Sequence, residues 1–132
     1  MDTPGDNRLR PEERIRKQAE LEAVFETRQS AGNRLLVMHW RANTLGHARL
    51  GIVIGRRYGN AVARNLFKRR VREIFRNCKQ KLGPLDLLLL PGRHEARRGR
   101  PDFEQLKESF LKLAAKIVNS SQMHNGSKNA GS

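Results

Sequence analysis

Apolar positions along this chain repeat with two periods, one helical and one strand-like, separated by polar breaks. The sharpest helical stripe is Phe67, Val71, Ile74, Phe75 and Cys78, at i, i+4, i+7, i+8 and i+11. That spacing puts them on one face of an α-helix. Gly59-Asn60 precedes the helix as a turn or cap, and Leu82-Gly83-Pro84 follows it as a stop signal. Near the start of the chain, Pro11-Glu12-Glu13 reads as the opening of a first helix, with proline in the first turn and acids at the positive end of the dipole. Ile15, Leu21, Val24 and Phe25 give it a sparse apolar stripe to about Thr27, where Ser30-Ala31-Gly32-Asn33 breaks it.

Two strands follow. Leu35 to Ala42 has strand composition with imperfect alternation, and Asn43-Thr44-Leu45-Gly46 fits a hairpin turn. Ala48 to Ile54 is the clearest strand, with Leu50, Ile52 and Ile54 on one face. Beyond the main helix, Asp86-Leu87-Leu88-Leu89-Leu90 is a short apolar run bounded by Pro84 and Pro91. Its length favours a buried central strand, parallel to the one before the helix. Pro101-Asp102-Phe103-Glu104 opens a last helix with Phe103, Leu106, Phe110, Leu113 and Ile117 on one side. The order α-β-β-α-β-α predicts one α/β (α+β) domain over residues 8–118, built as a two-layer α/β sandwich. Met1 to Asn7 should be flexible, and the Ser-, Asn-, Gly- and Lys-rich residues 119–132 a disordered tail.

Charge changes the picture. The chain of 132 residues carries a net charge of +14, and from Gly55 to Arg76 it holds eight Lys or Arg against the single acid Glu73. Asn65, Lys68, Arg69, Arg72 and Arg76 lie on the helix face opposite the apolar stripe. A helix docked by one side would thus hold a rigid row of cations towards a polyanion, and phosphates along a nucleic-acid backbone suit such a row. A solvated helix face would ordinarily mix in acids.

Candidate chemistry is otherwise sparse. Cys78 is the only cysteine, so neither an intrachain disulfide nor a Cys zinc site is available. The histidines His39, His47, His94 and His124 show no metal-ligand spacing. A protein nuclease needs a carboxylate cluster for metal or a His-based acid/base pair. Here Asp86 opens a strand, and Asp102 and Glu104 open a helix, so structural roles suffice. Neither a phosphate-cradling glycine loop nor the aromatic-rich RRM strand signature is present. No apolar run is long enough to span a membrane, and Met1-Asp2-Thr3-Pro4-Gly5-Asp6 lacks the regions of a secretory signal. A cytoplasmic setting without membrane association is the expectation.

The motif Gly59-Asn60-Ala61-Val62-x-Arg64-Asn65-x-x-Lys68-Arg69-x-x-Arg72-Glu73 resembles the signature of the bacterial ribonuclease P protein component. The resemblance extends to Arg14-Ile15-Arg16-Lys17 with Leu21-x-x-Val24-Phe25, to Leu50-Gly51-Ile52-x-Ile54-x-Arg56-Arg57, and to Asp86-Leu87-Leu88-Leu89-Leu90 followed by Arg93. It implies a protein subunit of a ribonucleoprotein that removes the 5′ leader from precursor tRNA. Catalysis is then expected in the RNA subunit, which holds Mg²⁺, with no catalytic or metal-binding residue in this chain and no protein partner required. The resemblance also implies a small mixed sheet with a left-handed β-α-β crossover, against the general handedness rule.

By the same resemblance, Arg64, Asn65, Lys68, Arg69, Arg72 and Arg76 would contact the ribonuclease P RNA. The precursor-tRNA leader would lie in a cleft between the first helix and the sheet, lined by Phe25, His39 and Trp40 and rimmed by Arg56 and Arg57. Alternation allows only one of His39 and Trp40 on a given sheet face, and the resemblance favours His39. Three departures stand out: Leu66 replaces a usual arginine, Leu21 a usual aromatic, and Gly55-Arg56-Arg57 a usual Ser-Lys-Lys. The rival readings are a structural RNA-binding protein, such as a ribosomal component or RNA chaperone, and a protein-only nuclease.

Overall fold

A computed structural model describes residues 9–92 and 101–131, with side chains as far as residue 121. Four strands form one mixed sheet in the order β1-β2-β4-β3. They are β1 (Ser30–Gly32), β2 (Leu36–Ala42), β3 (Arg49–Ile52) and β4 (Leu85–Pro91). Three helices accompany them: α1 (Gln18–Glu26), α2 (Ala61–Leu82) and α3 (Phe103–Gly131).

The apolar run Leu87 to Leu90 takes the interior position because it is apolar on both faces. β4 pairs antiparallel with β2 and parallel with β3, and α2 is the crossover between the two parallel strands. Leu87 and Leu89 are fully buried beneath α2 and α3, in a core that includes Leu36, Met38, Trp40, Leu50, Phe67, Val71, Phe75, Leu106 and Phe110. On the opposite face Leu88 packs with Ile15 and Val24 under α1.

Three expectations are corrected. Asn43 to Gly46 does turn the chain, with Asn43 Oδ1 accepting from the Leu45 N–H at 2.9 Å. However, β2 and β3 are not a paired hairpin, because β4 lies between them. The break at Ser30 to Asn33 contains the edge strand β1, paired to β2 through Ser30↔His39 and Gly32↔Val37. Asn33 makes this possible by accepting from the N–H groups of Leu35 and Leu36 at 3.0 Å. The first helix begins later than proline predicts. Pro11–Glu13 is a single 3-10 turn, and Arg14 then bridges to Leu50 in parallel register, with the Ile15 N–H donating to the Leu50 carbonyl at 3.0 Å. Backbone pairing to the sheet edge outweighs local helix preference there. Helix α3 runs to Gly131.

Gly51 sets how α1 sits. A Cβ at this position would come within 2.5 Å of Leu21 Cδ2 and 3.3 Å of Ile15 Cβ. The absence of a side chain lets α1 and the segment before it lie directly on the sheet. The far end of α1 is tied down by Thr27, whose single hydroxyl proton is shared between the carbonyls of Val24 at 2.8 Å and Trp40 at 3.0 Å.

Candidate RNA interface

Helix α2 is capped by Asn60, whose Oδ1 accepts from the Ala63 N–H at 2.9 Å. It stops at Gly83, which has a φ of 74°; that left-handed conformation costs an L side chain and suits glycine. Between these ends Phe67, Val71, Ile74, Phe75, Cys78 and Leu82 are buried. Burial pushes the Cys78 thiol up to about 11, which suits a core residue and not a nucleophile.

The other side of α2 carries the cations. Asn65, Arg69 and Arg76 are exposed, while Arg64, Lys68 and Arg72 are half-buried. Arg64 is partly committed, since its Nη1 donates to the Gly59 carbonyl at 2.8 Å and steadies the cap. Arg70 points elsewhere and donates to the Pro101 carbonyl at 3.0 Å, fastening α2 to the start of α3. Leu66 lies beside Tyr58, Phe67, Arg70, Pro101 and Leu106, as an apolar neighbour of the core.

The second surface is a partly open sheet face. One cross-strand row, His39–Leu88–Gly51, lies beneath α1. The next row holds Val37 and Leu90, both half-buried, and continues past β3 to Val53, which is 41% exposed. Phe25, at the end of α1, is 54% exposed. Its ring centroid is 4.7 Å from that of His39 with the planes tilted by 53°. His39 Nδ1 is buried with no hydrogen-bond partner, and burial holds the ring's pKa below its ordinary value, favouring the neutral imidazole. The result is a flat, half-apolar floor edged by aromatic rings. Arg56 and Arg57 are exposed in the 3-10 turn Arg56–Tyr58, between β3 and α2, beyond the end of the sheet where Val53 sits.

Trp40 does not join this surface. It is 6% exposed and packs in the core beneath α2 and α3, because residues 39 and 40 alternate across the sheet. The sequence pattern missed Val37, Leu90 and Val53. The register of β4 carries that information, since Leu88 and Leu90 share the face of His39. Arg93, Arg97, Arg98, Arg100 and His94 lie outside the described residues. Among the described residues no group of three or more His, Cys, Asp or Glu could hold a metal ion, and no helix is long and apolar enough to cross a membrane.

Two of the three acids expected to be structural make such contacts. Asp86 is fully buried and accepts from Arg49 Nε and Nη2 at 2.9 Å, Asn43 Nδ2 at 2.8 Å and Arg41 Nε at 3.1 Å. Asp102 caps α3, its Oδ1 accepting from the Gln105 N–H at 2.8 Å while Gln105 Oε1 accepts from the Asp102 N–H at 3.0 Å.

Comparison with known proteins identifies the family. A family model described as Ribonuclease P matches residues 9–118. The ribonuclease P protein component of Lactiplantibacillus plantarum is 34% identical over 113 residues, covering 84% of this chain and 99% of its own. That of Thermotoga maritima is 36% identical over 107 residues, covering 80% of this chain and 92% of its own. Among solved structures, the RNase P protein from Thermotoga maritima superposes with a TM-score of 0.73 at 34% identity, over 80% of this chain and 97% of that one. The Staphylococcus aureus RNase P protein superposes with a TM-score of 0.71 at 28% identity, over 80% and 97%.

Proposed function

The chain belongs to the ribonuclease P protein family, and we propose that it is the protein component of a tRNA-processing ribonucleoprotein, binding a catalytic RNA by one surface and the 5′ leader of precursor tRNA by the other. The observation that carries this reading is the cationic face of α2, a helix with Glu73 as its single acid, held rigidly by the buried stripe Phe67, Val71, Ile74, Phe75, Cys78 and Leu82. Lys68, Arg69, Arg72 and Arg76, with Asn65 and the remaining donors of Arg64, meet phosphates of the RNA subunit. Arginine forks can engage two phosphate oxygens at once, which suits a fixed helical row.

The leader lies across the open sheet face. Phe25 and the neutral His39 ring offer flat surfaces to unstacked bases, Val37, Leu90 and Val53 form an apolar floor, and Arg56 and Arg57 meet the leader phosphates. Trp40, buried in the core, takes no part. The protein supplies position and charge while hydrolysis proceeds on the RNA subunit in the cytoplasm. In this reading Mg²⁺ is held by that RNA.

Assembly measured against salt tests the reading. Arg69→Ala should weaken binding to a ribonuclease P RNA and lower the slope of log K against log salt by about one unit for each phosphate no longer engaged. An unchanged affinity and slope would remove the cationic face from the RNA interface.

A further inference from the structure

Arg28 stands at the junction between α1 and β1. Its φ is 60°, and among the described residues it alone, glycines aside, has a positive φ. That left-handed conformation crowds the Cβ of an L side chain, so glycine, or less often asparagine, usually holds such a position after a helix. The junction is fixed on both sides. Before Arg28, Thr27 Oγ1 lies 3.0 Å from the Trp40 carbonyl. The Arg28 N–H itself donates to the Phe25 carbonyl at 3.2 Å, and the next carbonyl, that of Gln29, accepts from the Trp40 N–H at 3.0 Å. The chain turns from helix to edge strand within these three residues, so the strained conformation falls on whatever residue stands at position 28.

Nothing in the fold asks for arginine there. The residue is exposed, and its guanidinium has no hydrogen-bond or ion-pair partner among the described residues. A cation near a helix C-terminus is favoured by the dipole, but any residue of the last turn could supply it without strain, and the last turn of α1 carries none. The helix itself is acidic, with Glu20, Glu22 and Glu26 in its nine residues and no Lys or Arg. Arg28 also borders the paired rings of Phe25 and His39, whose centroids are 4.7 Å apart. It follows Phe25 by one helical turn and precedes Ser30, the residue paired with His39. A polyanion laid over those rings meets the exposed Glu26, and Arg28 is the cation nearest in sequence to offset it.

We propose that Arg28 binds a backbone phosphate of the precursor-tRNA leader beside the base that stacks on Phe25 and His39, and that the chain holds a strained backbone to keep a cation there. This rests on the leader-binding reading above and adds to it a residue outside both cationic groups already described. A guanidinium can donate two parallel N–H bonds to the free oxygens of a phosphodiester, and its charge offsets the acids of α1. Backbone strain of this kind persists where the side chain has a task. An exposed arginine without a partner has no such task inside the free protein.

The test compares wild type with Arg28→Gly, Arg28→Asn and Arg28→Lys. Thermal unfolding of the free proteins comes first. Arg28→Gly and Arg28→Asn should match or exceed the wild-type Tm, since both residues accept the left-handed conformation. A drop of several degrees in both would show that arginine is structural and would overturn the proposal. Holoenzymes assembled with a cognate ribonuclease P RNA are then titrated, over a range of salt, with a precursor tRNA carrying a long leader and with the mature tRNA. Arg28→Gly and Arg28→Asn should weaken precursor binding about three- to tenfold and lower its salt slope by about 0.7–1 unit. Mature tRNA should bind as it does to wild type, and Arg28→Lys should keep the wild-type slope. If wild type prefers the precursor and Arg28→Gly binds it with the same affinity and slope, the Arg28 contact alone is overturned. If wild type binds precursor and mature tRNA equally, the leader reading fails and takes the contact with it. A loss confined to assembly with the RNA subunit would place the phosphate there and contradict leader contact.

Discussion

Phe25 is an aromatic side chain left more than half exposed at the edge of a packed helix–sheet contact, beside a histidine ring whose Nδ1 has no partner. A side chain in that state contributes little to the core and much to a surface awaiting a flat ligand. Phe25→Ala should therefore leave the Tm of the free protein nearly unchanged and spare assembly with the RNA. It should reduce discrimination between precursor and mature tRNA by about 1–3 kcal/mol, the value of one base stack. The ratio of the two dissociation constants checks this, and equal ratios for mutant and wild type would exclude Phe25 from leader binding. At this scale the sequence is legible in part. Strand alternation shows that His39 and Trp40 face opposite ways, but only the burial of Trp40 in the core says which way is which.

Elements read less evenly. Helix α2 is plain because its stripe, cap and stop all agree, and β4 is plain because a short apolar run between prolines fits an interior strand. β1 escapes because three residues at a sheet edge carry no period, and the late start of α1 escapes because a backbone pairing to β3 overrides proline. What fastens the strands at one end is also invisible in one dimension. Asp86 of β4 is met by Arg41 and Asn43 from β2 and the residue following it, and by Arg49 from β3. Burial alone would raise the Asp86 pKa, but the hydrogen bonds from Arg49, Asn43 and Arg41 outweigh it and hold the carboxyl below its ordinary value. A carboxyl depressed in the folded state stabilises the fold above its unfolded pKa, about 3.9, and that contribution is lost as pH falls through the folded value. Asp86→Ala, which leaves Arg49 without its buried partner, should cost about 3–5 kcal/mol. It should also flatten the acid limb of stability against pH. Urea unfolding from about pH 2 to 7 checks both across the window in which a depressed carboxyl titrates, and a variant with the wild-type acid limb would show that another carboxyl dominates.

Across the whole molecule, charge and topology combine. The net charge of +14 draws the chain to polyanions over long range, but it cannot choose among RNA partners. In the proposed reading the choice comes from rigid placement: α2 holds its cations on one side, and the open part of the sheet face lies beside α1. The turn that carries Arg56 and Arg57 links β3 to α2. This arrangement explains why α2 must bury so complete an apolar stripe. A helix of like charges is poorly stable alone, and its packing against β3, β4 and α3 offsets the repulsion. The family and the sheet around β4 are legible from one motif and one apolar run. The shape of the cleft is not, because it depends on the register between β2 and β4 and on the close approach permitted by Gly51.

If this protein activates an RNA enzyme without cutting RNA itself, the most direct test is cleavage of a precursor tRNA by its cognate ribonuclease P RNA at low Mg²⁺, with and without the protein, alongside a protein-only control. A large protein-dependent gain in correctly placed cleavage, with none by the protein alone, is the predicted result. Cleavage by the protein alone, or no gain with a cognate RNA that is active at high Mg²⁺, would contradict it.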